Sequence, residues 1–235
     1  MIRTLLFLCL VHYAPAWINT GFGVKWKSFD DVLVSKSFMF EITNVYKSTR
    51  CVLLCLQNES CVSVFYRRQH RRCQFHDVLF MSPEDGEQEN GTMYYSLTTG
   101  DCVPGYIHNR LLNICYQLHL DKISYDDALA DCTSRGEHFA VIDNADKQNH
   151  VVKQIKSSSA ARTFSYFLDG SDAANEGQWV FHDGRPMTYF AWRSGNPTGS
   201  AGEKDYIVAS KLDNAFLWRD GRQTEEKNYI CQKDL

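Results

Sequence analysis

The arrangement of cysteines constrains the fold of this 235-residue chain more than any other feature of the sequence. Eight of the nine cysteines form two groups of four, one packed into residues 51–73 and the other spread over residues 102–231. So many cysteines are typical of proteins that fold in an oxidising compartment, where they pair as disulfides. Eight cysteines allow about 105 pairings, and confining the pairs to each group leaves nine. The sequence therefore predicts two small domains, each stabilised by its own disulfides.

The ninth cysteine, Cys9, lies in an N-terminal segment with the features of a secretory signal peptide. Arg3 supplies a positive charge, a short apolar run follows, and Ala14 and Ala16 place small residues where a signal peptidase cleaves. We expect residues 1–16 to be removed, which leaves an even number of cysteines. The apolar run is too short to span a bilayer, which needs about 20 residues. We therefore expect a secreted, extracellular protein with no membrane span.

The charge balance and the absence of common catalytic motifs argue against a nucleic-acid-binding protein and against an enzyme. The chain has 25 basic and 28 acidic residues, so its net charge of −3 gives no general attraction to nucleic acid. The sequence contains no G-x-S-x-G, H-E-x-x-H or C-x-x-C motif, and we therefore expect no enzymatic activity. Three histidines, His108, His138 and His182, stand apart in the sequence and are interpreted as ordinary loop or half-buried residues.

The first domain is placed at residues 17–100, where it ends after an acidic, turn-rich stretch at 83–91. Ser48 is predicted to be the N-cap of a helix that carries Cys51 and Cys55 on one face, because they are four residues apart. Two apolar runs around an arginine-rich turn then predict a β-hairpin. A helix cross-linked to a hairpin suits a domain too small for a large core.

This spacing resembles the PAN/apple family, in which a single helix is cradled on an antiparallel sheet. The outermost apple disulfide has no counterpart here, so the domain is similar to the shorter PAN form. The disulfides that the resemblance implies are Cys51–Cys73 and Cys55–Cys61.

Two helices are predicted in the second half of the chain. Ser124 and Asp127 form a capping-box-like start to the first of them. Apolar residues on one face predict the second helix at 146–156. A short buried strand is expected between them at 139–142, and a closing strand at 228–231.

This order of elements over residues 101–235 resembles the C-type lectin-like domain. The segments 167–170 and 179–184 replace the W-I-G-L and W-x-W-x-D-G motifs of that family. The disulfides that the resemblance implies are Cys102–Cys115, which marks the long form, and Cys132–Cys231. The predicted fold class is therefore α+β, with an apple-like helix on an antiparallel sheet followed by a C-type lectin-like fold. The latter implies two helices and two small antiparallel sheets.

In sugar-binding members of this family, a loop and a W-N-D strand hold one Ca²⁺ ion, which shares its ligands with the sugar. The residues that the resemblance places at this site are Trp192, Asn196, Thr198, Glu203, Arg219 and Asp220. Arg219 puts a guanidinium where the family has an amide oxygen, and a fixed cation lowers affinity for Ca²⁺ by charge repulsion. The sequence therefore indicates a degraded calcium site.

Two alternatives remain for this region. The resemblance implies an auxiliary Ca²⁺ position, whose candidate ligands are Asp172, Glu176 and Glu203. If calcium is lost, the Arg219 fork can instead bind a carboxylate or sulfate of an acidic glycan or a protein loop. Otherwise Arg219 is a surface residue that pairs with Asp213 or Asp220.

Two further features lie in the first domain. Asn58 and Asn90 each begin an N-x-Ser/Thr sequence and are predicted to carry N-linked glycans. A basic turn can bind heparin-like polyanions, unless it is a solvated turn neutralised by nearby acidic residues. Its members are Arg67, Arg68, Arg71 and Arg72.

The sequence thus predicts a secreted two-domain recognition protein. The leading hypothesis is that the second domain binds glycans or glycoproteins, with Ca²⁺ as a candidate cofactor. The alternative is a calcium-independent protein-protein interaction module in adhesion or immune recognition, in which the lectin fold has lost its sugar chemistry.

Overall fold

The computed structural model describes residues 21–100, 102–199, 203–212 and 214–235. The predicted signal peptide, residues 1–16, lies outside the described residues, and so does Asp213. Within the described part, two α+β units follow one another along the chain.

The first unit is an antiparallel sheet with one helix packed on it. Its elements are β1 (Gly21–Lys25), β2 (Val32–Leu33), β3 (Phe40–Ile42), α1 (Ser48–Leu56), β4 (Ser63–Arg67), β5 (Arg72–His76), β6 (Glu87–Gln88) and β7 (Thr92–Thr99). Five strands form one sheet in the order β1-β7-β4-β5-β3, and β2 pairs with β6. Strands β4 and β5 are the hairpin predicted from the sequence.

The start of α1 differs from the prediction. Ser48 is the first helical residue, and the N-cap is Lys47, whose side chain makes no capping hydrogen bond. The Ser48 hydroxyl instead accepts a hydrogen bond from the Tyr95 hydroxyl of β7 at 3.0 Å. The prediction that Ser48 is the N-cap was therefore wrong. Its hydroxyl instead connects the helix to the sheet.

Two disulfides fasten α1 to its surroundings. Cys51 is bonded to Cys73 of β5, and Cys55 is bonded to Cys61, just before β4. All four residues are buried in one apolar cluster. The cysteines on one face of the helix thus hold that face against the sheet.

The second unit contains two helices and seven strands within the described residues. Its elements are β8 (Ile107–Asn109), β9 (Ile114–Ile123), α2 (Tyr125–Ser134), β10 (His138–Phe139), α3 (Ala145–Ser157), β11 (Tyr166–Ser171), β12 (Tyr206–Ala209), β13 (Trp218–Gly221) and β14 (Lys227–Lys233). The strands are hydrogen-bonded in the order β13-β12-β11-β14-β9-β8, and β10 pairs with β14. Strands β11 and β14 run parallel. This parallel pair joins strands that were expected to form two separate antiparallel sheets.

Both helices of this unit have side-chain caps. The Ser124 hydroxyl accepts a hydrogen bond from the Asp127 N–H at 3.2 Å and donates one to the Asp127 carboxylate at 2.7 Å. The Asn144 side chain accepts a hydrogen bond from the Lys147 N–H at 2.9 Å. The first cap is the one predicted from the sequence.

The strand expected at 139–142 is shorter than predicted. Only His138 and Phe139 pair with β14, although Ala140, Val141 and Ile142 are buried. The Val141 N–H donates to the side chain of Gln232 at 3.0 Å instead of to a strand carbonyl. The Ala140 backbone is still hydrogen-bonded to Ile230 of β14 and to Asp169 of β11, so the chain leaves the sheet at Val141 while its apolar side chains stay buried.

Two disulfides also close the second unit. Cys102 is bonded to Cys115 of β9, and Cys132 of α2 is bonded to Cys231 of β14, with a sequence separation of 99. The latter bond joins the first helix of the unit to its last strand.

The two units share one apolar cluster of buried residues. Phe65, Phe80 and Tyr94 of the first unit belong to the same cluster as Tyr116 and Ile155 of the second. The apolar interiors of the two units are therefore continuous where the units pack against each other. No helix among the described residues has both the length and the apolar character needed to cross a bilayer.

Polar contacts accompany this shared core. The buried Gln154 of α3 donates to the carbonyl of Leu79 at 2.7 Å and accepts from the Leu79 N–H at 2.8 Å. Lys153 lies 2.7 Å from the carboxylate of Asp77. Arg110 donates hydrogen bonds to the carbonyls of Cys55, Leu56, Asn58 and Cys61.

Candidate functional site

The predicted sugar site lies where the loop at 192–199 meets β13. Trp192 forms an isolated parallel bridge with Trp218, and the Arg193 N–H donates to the carbonyl of Trp218 at 2.8 Å. The Asn196–Pro197 peptide bond in this loop is cis. These contacts hold the loop alongside β13.

Asp220 of β13 is buried and holds the loop in place. Its Oδ2 atom accepts hydrogen bonds from the Thr198 N–H at 2.7 Å and from the Thr198 hydroxyl. The Lys204 ammonium donates to that same hydroxyl oxygen at 3.1 Å. A positive charge thus lies beside the carboxylate that was expected to bind Ca²⁺.

Arg219 forms an ion pair with Glu225, a residue that sequence analysis did not identify. The guanidinium donates to both carboxylate oxygens of Glu225, to Oε1 at 3.1 Å, and also to the carbonyl of Asp220 at 2.8 Å. Burial alone would raise the pKa of Glu225, but hydrogen bonds from Arg219 and Lys227 lower it to about 2. The guanidinium of Arg219 is therefore already hydrogen-bonded to groups of its own chain.

Glu203 does not join the other predicted ligands. Its side chain is 63% exposed and pairs with Arg222 at 3.0 Å. The carboxylates that do lie near one another are those of Asp172, Asp205 and Asp220. The pKa of Asp172 is raised by burial and by the negative charges of the other two.

The auxiliary calcium position is only partly assembled. Asp172 is buried, and Glu176 is exposed on the turn that follows it. Oδ1 of Asp172 and Oδ1 of Asp205 are buried without hydrogen-bond partners among the described residues. Among these residues, the clusters of three or more potential metal ligands whose atoms lie within 4.8 Å of one another do not include Asp172, Glu176 or Glu203.

The residues at the loop do not fit a Ca²⁺ ion. Ca²⁺ takes about six to eight oxygen ligands, with carboxylates among them. The loop offers one carboxylate, that of Asp220, with the amide of Asn196 and the hydroxyl of Thr198. That hydroxyl already accepts a hydrogen bond from the Lys204 ammonium. The unpartnered carboxylate oxygens of this region lie on Asp172, Asp205 and Asp220, so the auxiliary position beside Asp220 retains more of the required chemistry than the loop does.

Trp192 is part of an aromatic stack beside the loop. Phe190 stacks on it with ring centroids 5.7 Å apart and planes 13° apart. Phe190 is 38% exposed, whereas Trp218 is buried and donates from its indole N–H to Gln148 at 3.0 Å. Phe190 and Trp192, and not Trp218, therefore offer aromatic surface to a ligand.

The basic turn of the first unit is largely neutralised. Arg67 donates to Glu89 at 2.7 and 3.0 Å and to Glu41 at 3.1 Å. Arg72 donates to Glu41 at 2.8 Å. The other members of the turn, Arg68 and Arg71, are exposed. The pairing with Glu41 joins residues of β3 and β5 and could not be read from the turn itself.

The two predicted glycosylation sites differ in accessibility. Asn58 is partly buried, and its side-chain oxygen accepts a hydrogen bond from the Ser60 N–H at 3.0 Å. Asn90 is exposed in the turn between β6 and β7. Asn90 is therefore the more accessible acceptor.

Comparison with known families agrees with this architecture. The family model of the Lectin C-type domain matches residues 121–233, and that of the PAN domain matches residues 26–99. A tetranectin-like protein of Carcharhinus perezii is 31% identical over 119 residues, which are 50% of this chain and 69% of that protein. The chain belongs to the C-type lectin family, and a PAN domain precedes its lectin domain. The predicted order of the two domains is confirmed.

Two other relatives and one solved structure match over the lectin domain. Perlucin of Haliotis laevigata is 27% identical over 133 residues, covering 57% of this chain and 83% of that protein. The galactose-specific lectin nattectin of Thalassophryne nattereri is 26% identical over 137 residues, covering 58% and 83%. The structure of herring type II antifreeze protein matches with a TM-score of 0.50 and 20% identity, over 57% of this chain and 99% of that one. This last match shows the fold alone. Membership of the family identifies a non-enzymatic recognition protein.

Proposed function

We propose that this chain is a secreted recognition protein whose lectin domain binds carbohydrate without a calcium ion at the loop 192–199. The domain arrangement in the proposal is a signal peptide at 1–16, a PAN domain at 17–100 and a lectin domain at 101–235. The lectin names of its relatives support a carbohydrate ligand.

The observation that carries the calcium-independent part is the contact between Lys204, Thr198 and Asp220. The Lys204 ammonium donates to Thr198 Oγ1, which in turn donates to the Asp220 carboxylate. A Ca²⁺ ion bound by Thr198 and Asp220 would lie next to this ammonium, and the repulsion between the two cations opposes binding. The lysine thus places a positive charge one hydrogen-bonded side chain away from Asp220.

The ligand-binding surface in this proposal is aromatic and polar. The exposed ring of Phe190, stacked on Trp192, can pack against the apolar face of a sugar ring. Asn196 and Lys204 lie on the adjoining loop segments and supply hydrogen-bond donors. Arg219 contributes to the shape of the site through its ion pair with Glu225.

Polyanion binding by the basic turn is not part of the proposal. Arg67 and Arg72 are paired with Glu41 and Glu89, so the positive charges of two of the four arginines are compensated by carboxylates of the same domain.

The test is a glycan array probed with the secreted full-length chain, in millimolar Ca²⁺ and in EDTA. We expect the same glycans to be bound under both conditions. Loss of all binding in EDTA would contradict the proposal and show that glycan binding requires a metal ion. Absence of any glycan binding would favour the alternative, a protein-protein interaction module.

A pair of variants locates the surface. Phe190→Ala should weaken glycan binding by about two- to tenfold, because an aromatic contact contributes about 0.5–1.5 kcal/mol. Phe38→Ala is the matched control, because Phe38 is also an exposed phenylalanine but lies in the PAN domain. Phe38 is 49% exposed and Phe190 is 38% exposed. Equal binding by Phe190→Ala and the parent protein would remove the aromatic surface from the proposal.

A further inference from the structure

We propose that His138, Asp169 and His182 of the lectin domain form a zinc site. His138 lies on β10, Asp169 on β11, and His182 on the turn that follows β11 in the chain. One potential ligand atom from each of the three lies within 4.8 Å of the others. The sequence places these histidines far apart, and the fold of the lectin domain brings them together.

Each imidazole ring already has a hydrogen-bond partner at Nδ1. His138 Nδ1 lies 2.6 Å from the carbonyl of Phe139, which can only accept, so Nδ1 donates this hydrogen bond and Nε2 is the nitrogen that a metal would occupy. His182 Nδ1 lies 2.6 Å from the carboxylate of Asp169. Metal-binding histidines in proteins have a partner at one nitrogen, because this hydrogen bond fixes the ring and strengthens the other nitrogen as a ligand, and the Phe139 carbonyl is such a partner for His138.

Asp169 is a buried carboxylate in this arrangement. It is 5% exposed and also accepts a hydrogen bond from the backbone N–H of His182 at 3.1 Å. A buried charge needs a compensating partner. Hydrogen bonds from His182 meet part of this need, and a divalent cation between the histidines and Asp169 would neutralise the charge directly.

An open cavity of about 430 Å³ gives access to the cluster. Two carboxylates at its rim, Asp143 and Asp183, are paired with Lys147 at 3.0 Å and Arg185 at 2.6 Å. Asp234 instead lies 3.1 Å from Nε2 of His138. Asp234 or a water molecule can therefore provide a fourth ligand from the open side.

The donor set selects the class of metal. Two imidazole nitrogens and a carboxylate oxygen suit Zn²⁺, whereas Ca²⁺ prefers an all-oxygen site. Eight cysteines are bonded in disulfides, so thiolates from these do not compete for the ion.

The two rings must tilt to share an ion. They are stacked with centroids 3.9 Å apart and planes 18° apart, and a metal lies close to the plane of each ring that binds it. His182 has a 37% exposed side chain and can turn towards the cavity, whereas His138 is largely enclosed. Binding of zinc therefore replaces the stacked pair with a pair of rings that converge on the ion.

The test is calorimetric titration of the metal-free, full-length secreted chain with Zn²⁺ at pH 7.5, in the presence of excess Ca²⁺. We expect one ion per chain, and at least about tenfold weaker binding in His138→Gln and His182→Gln. His70→Gln is the matched control, since His70 is an exposed histidine of the PAN domain with a 51% exposed side chain. Binding equal to the parent protein is expected for this control.

Paramagnetic Cu²⁺ provides a second readout that does not depend on affinity. Its resonance spectrum should show coupling to two nitrogens in the parent protein and to one in His182→Gln. The proposal is overturned if Zn²⁺ does not bind, if the two variants bind as the parent does, or if His70→Gln weakens binding equally. It is likewise overturned if the two-nitrogen coupling persists in His182→Gln.

Discussion

The two domains are cross-linked on different length scales. In the PAN domain, the disulfides join residues that are 22 and 6 positions apart, so they fix one helix against a neighbouring hairpin. In the lectin domain, Cys132–Cys231 spans 99 positions and joins the first helix to the last strand. Both disulfides of the PAN domain are therefore local, whereas the lectin domain has one local disulfide, Cys102–Cys115, and a second that closes the domain as a whole.

The PAN domain also packs against the lectin domain, which adds buried surface to its own small core. Its aromatic residues Phe65, Phe80 and Tyr94 share a cluster with the core of the lectin domain. The backbone of Leu79 is hydrogen-bonded by Gln154 from α3. A small domain with a limited core of its own thus gains buried surface from a second domain.

Removal of the long disulfide should give the largest effect. In the chain-entropy model, a loop of about 100 residues contributes about 4–5 kcal/mol, and a loop of about 6 residues contributes about 2 kcal/mol. We therefore expect the double variant Cys132→Ala/Cys231→Ala to lose about twice as much free energy of unfolding as Cys55→Ala/Cys61→Ala. Urea denaturation of the full-length chain measures both. Equal losses would show that loop length does not distinguish the two domains.

Removal of the contact between domains should have the next largest effect. Gln154→Ala leaves the buried N–H and C=O of Leu79 without their partner, which costs about 2–4 kcal/mol. Since Leu79 belongs to the PAN domain, hydrogen exchange should accelerate at its amide as well as in α3.

The control for this variant is Gln69→Ala, because Gln69 is exposed in the turn between β4 and β5. It should leave the free energy of unfolding within about 0.5 kcal/mol of the parent value. Unchanged exchange at Leu79 in Gln154→Ala would contradict a shared interior.

Features that depend on local spacing could be predicted from the sequence. The capping box at Ser124 and Asp127, and the face of α1 that carries Cys51 and Cys55, follow from the period of a helix. The prediction for Ser48 failed because its hydroxyl bonds to Tyr95, a partner that helix periodicity does not contain.

The candidate site depends mainly on contacts between distant segments. Asp220 and Thr198 lie together, in accordance with the family resemblance. The ammonium of Lys204 and the carboxylate of Glu225 decide the electrostatics of the loop, and no motif marks either of them. Their roles required the path of the loop along β13.

A change of pH should alter the free energy of unfolding by less per residue than the substitutions above. The residues responsible lie in both domains. Burial and the positive charge of Lys153 lower the pKa of His76 in the PAN domain to about 3. Burial also lowers the pKa of His150 on α3 to about 4, with Lys153 contributing in the same direction. Lys153 itself pairs with Asp77 across the interface.

The sign of this effect follows from proton binding. Above the ordinary histidine pKa of about 6.5, both states are neutral and the stability is fully present. As the pH falls from 6.5 towards 4, the unfolded chain binds protons that the folded chain does not, so stability decreases by about 1.4 kcal/mol per pH unit for each histidine. His76→Gln and His150→Gln should each remove that part of the slope between pH 6.5 and 4.5, measured by urea denaturation at several pH values. His70→Gln, with its exposed side chain, serves as the control and should keep the slope of the parent protein. A slope that survives in both His76→Gln and His150→Gln would show that neither buried imidazole couples the stability of its domain to pH.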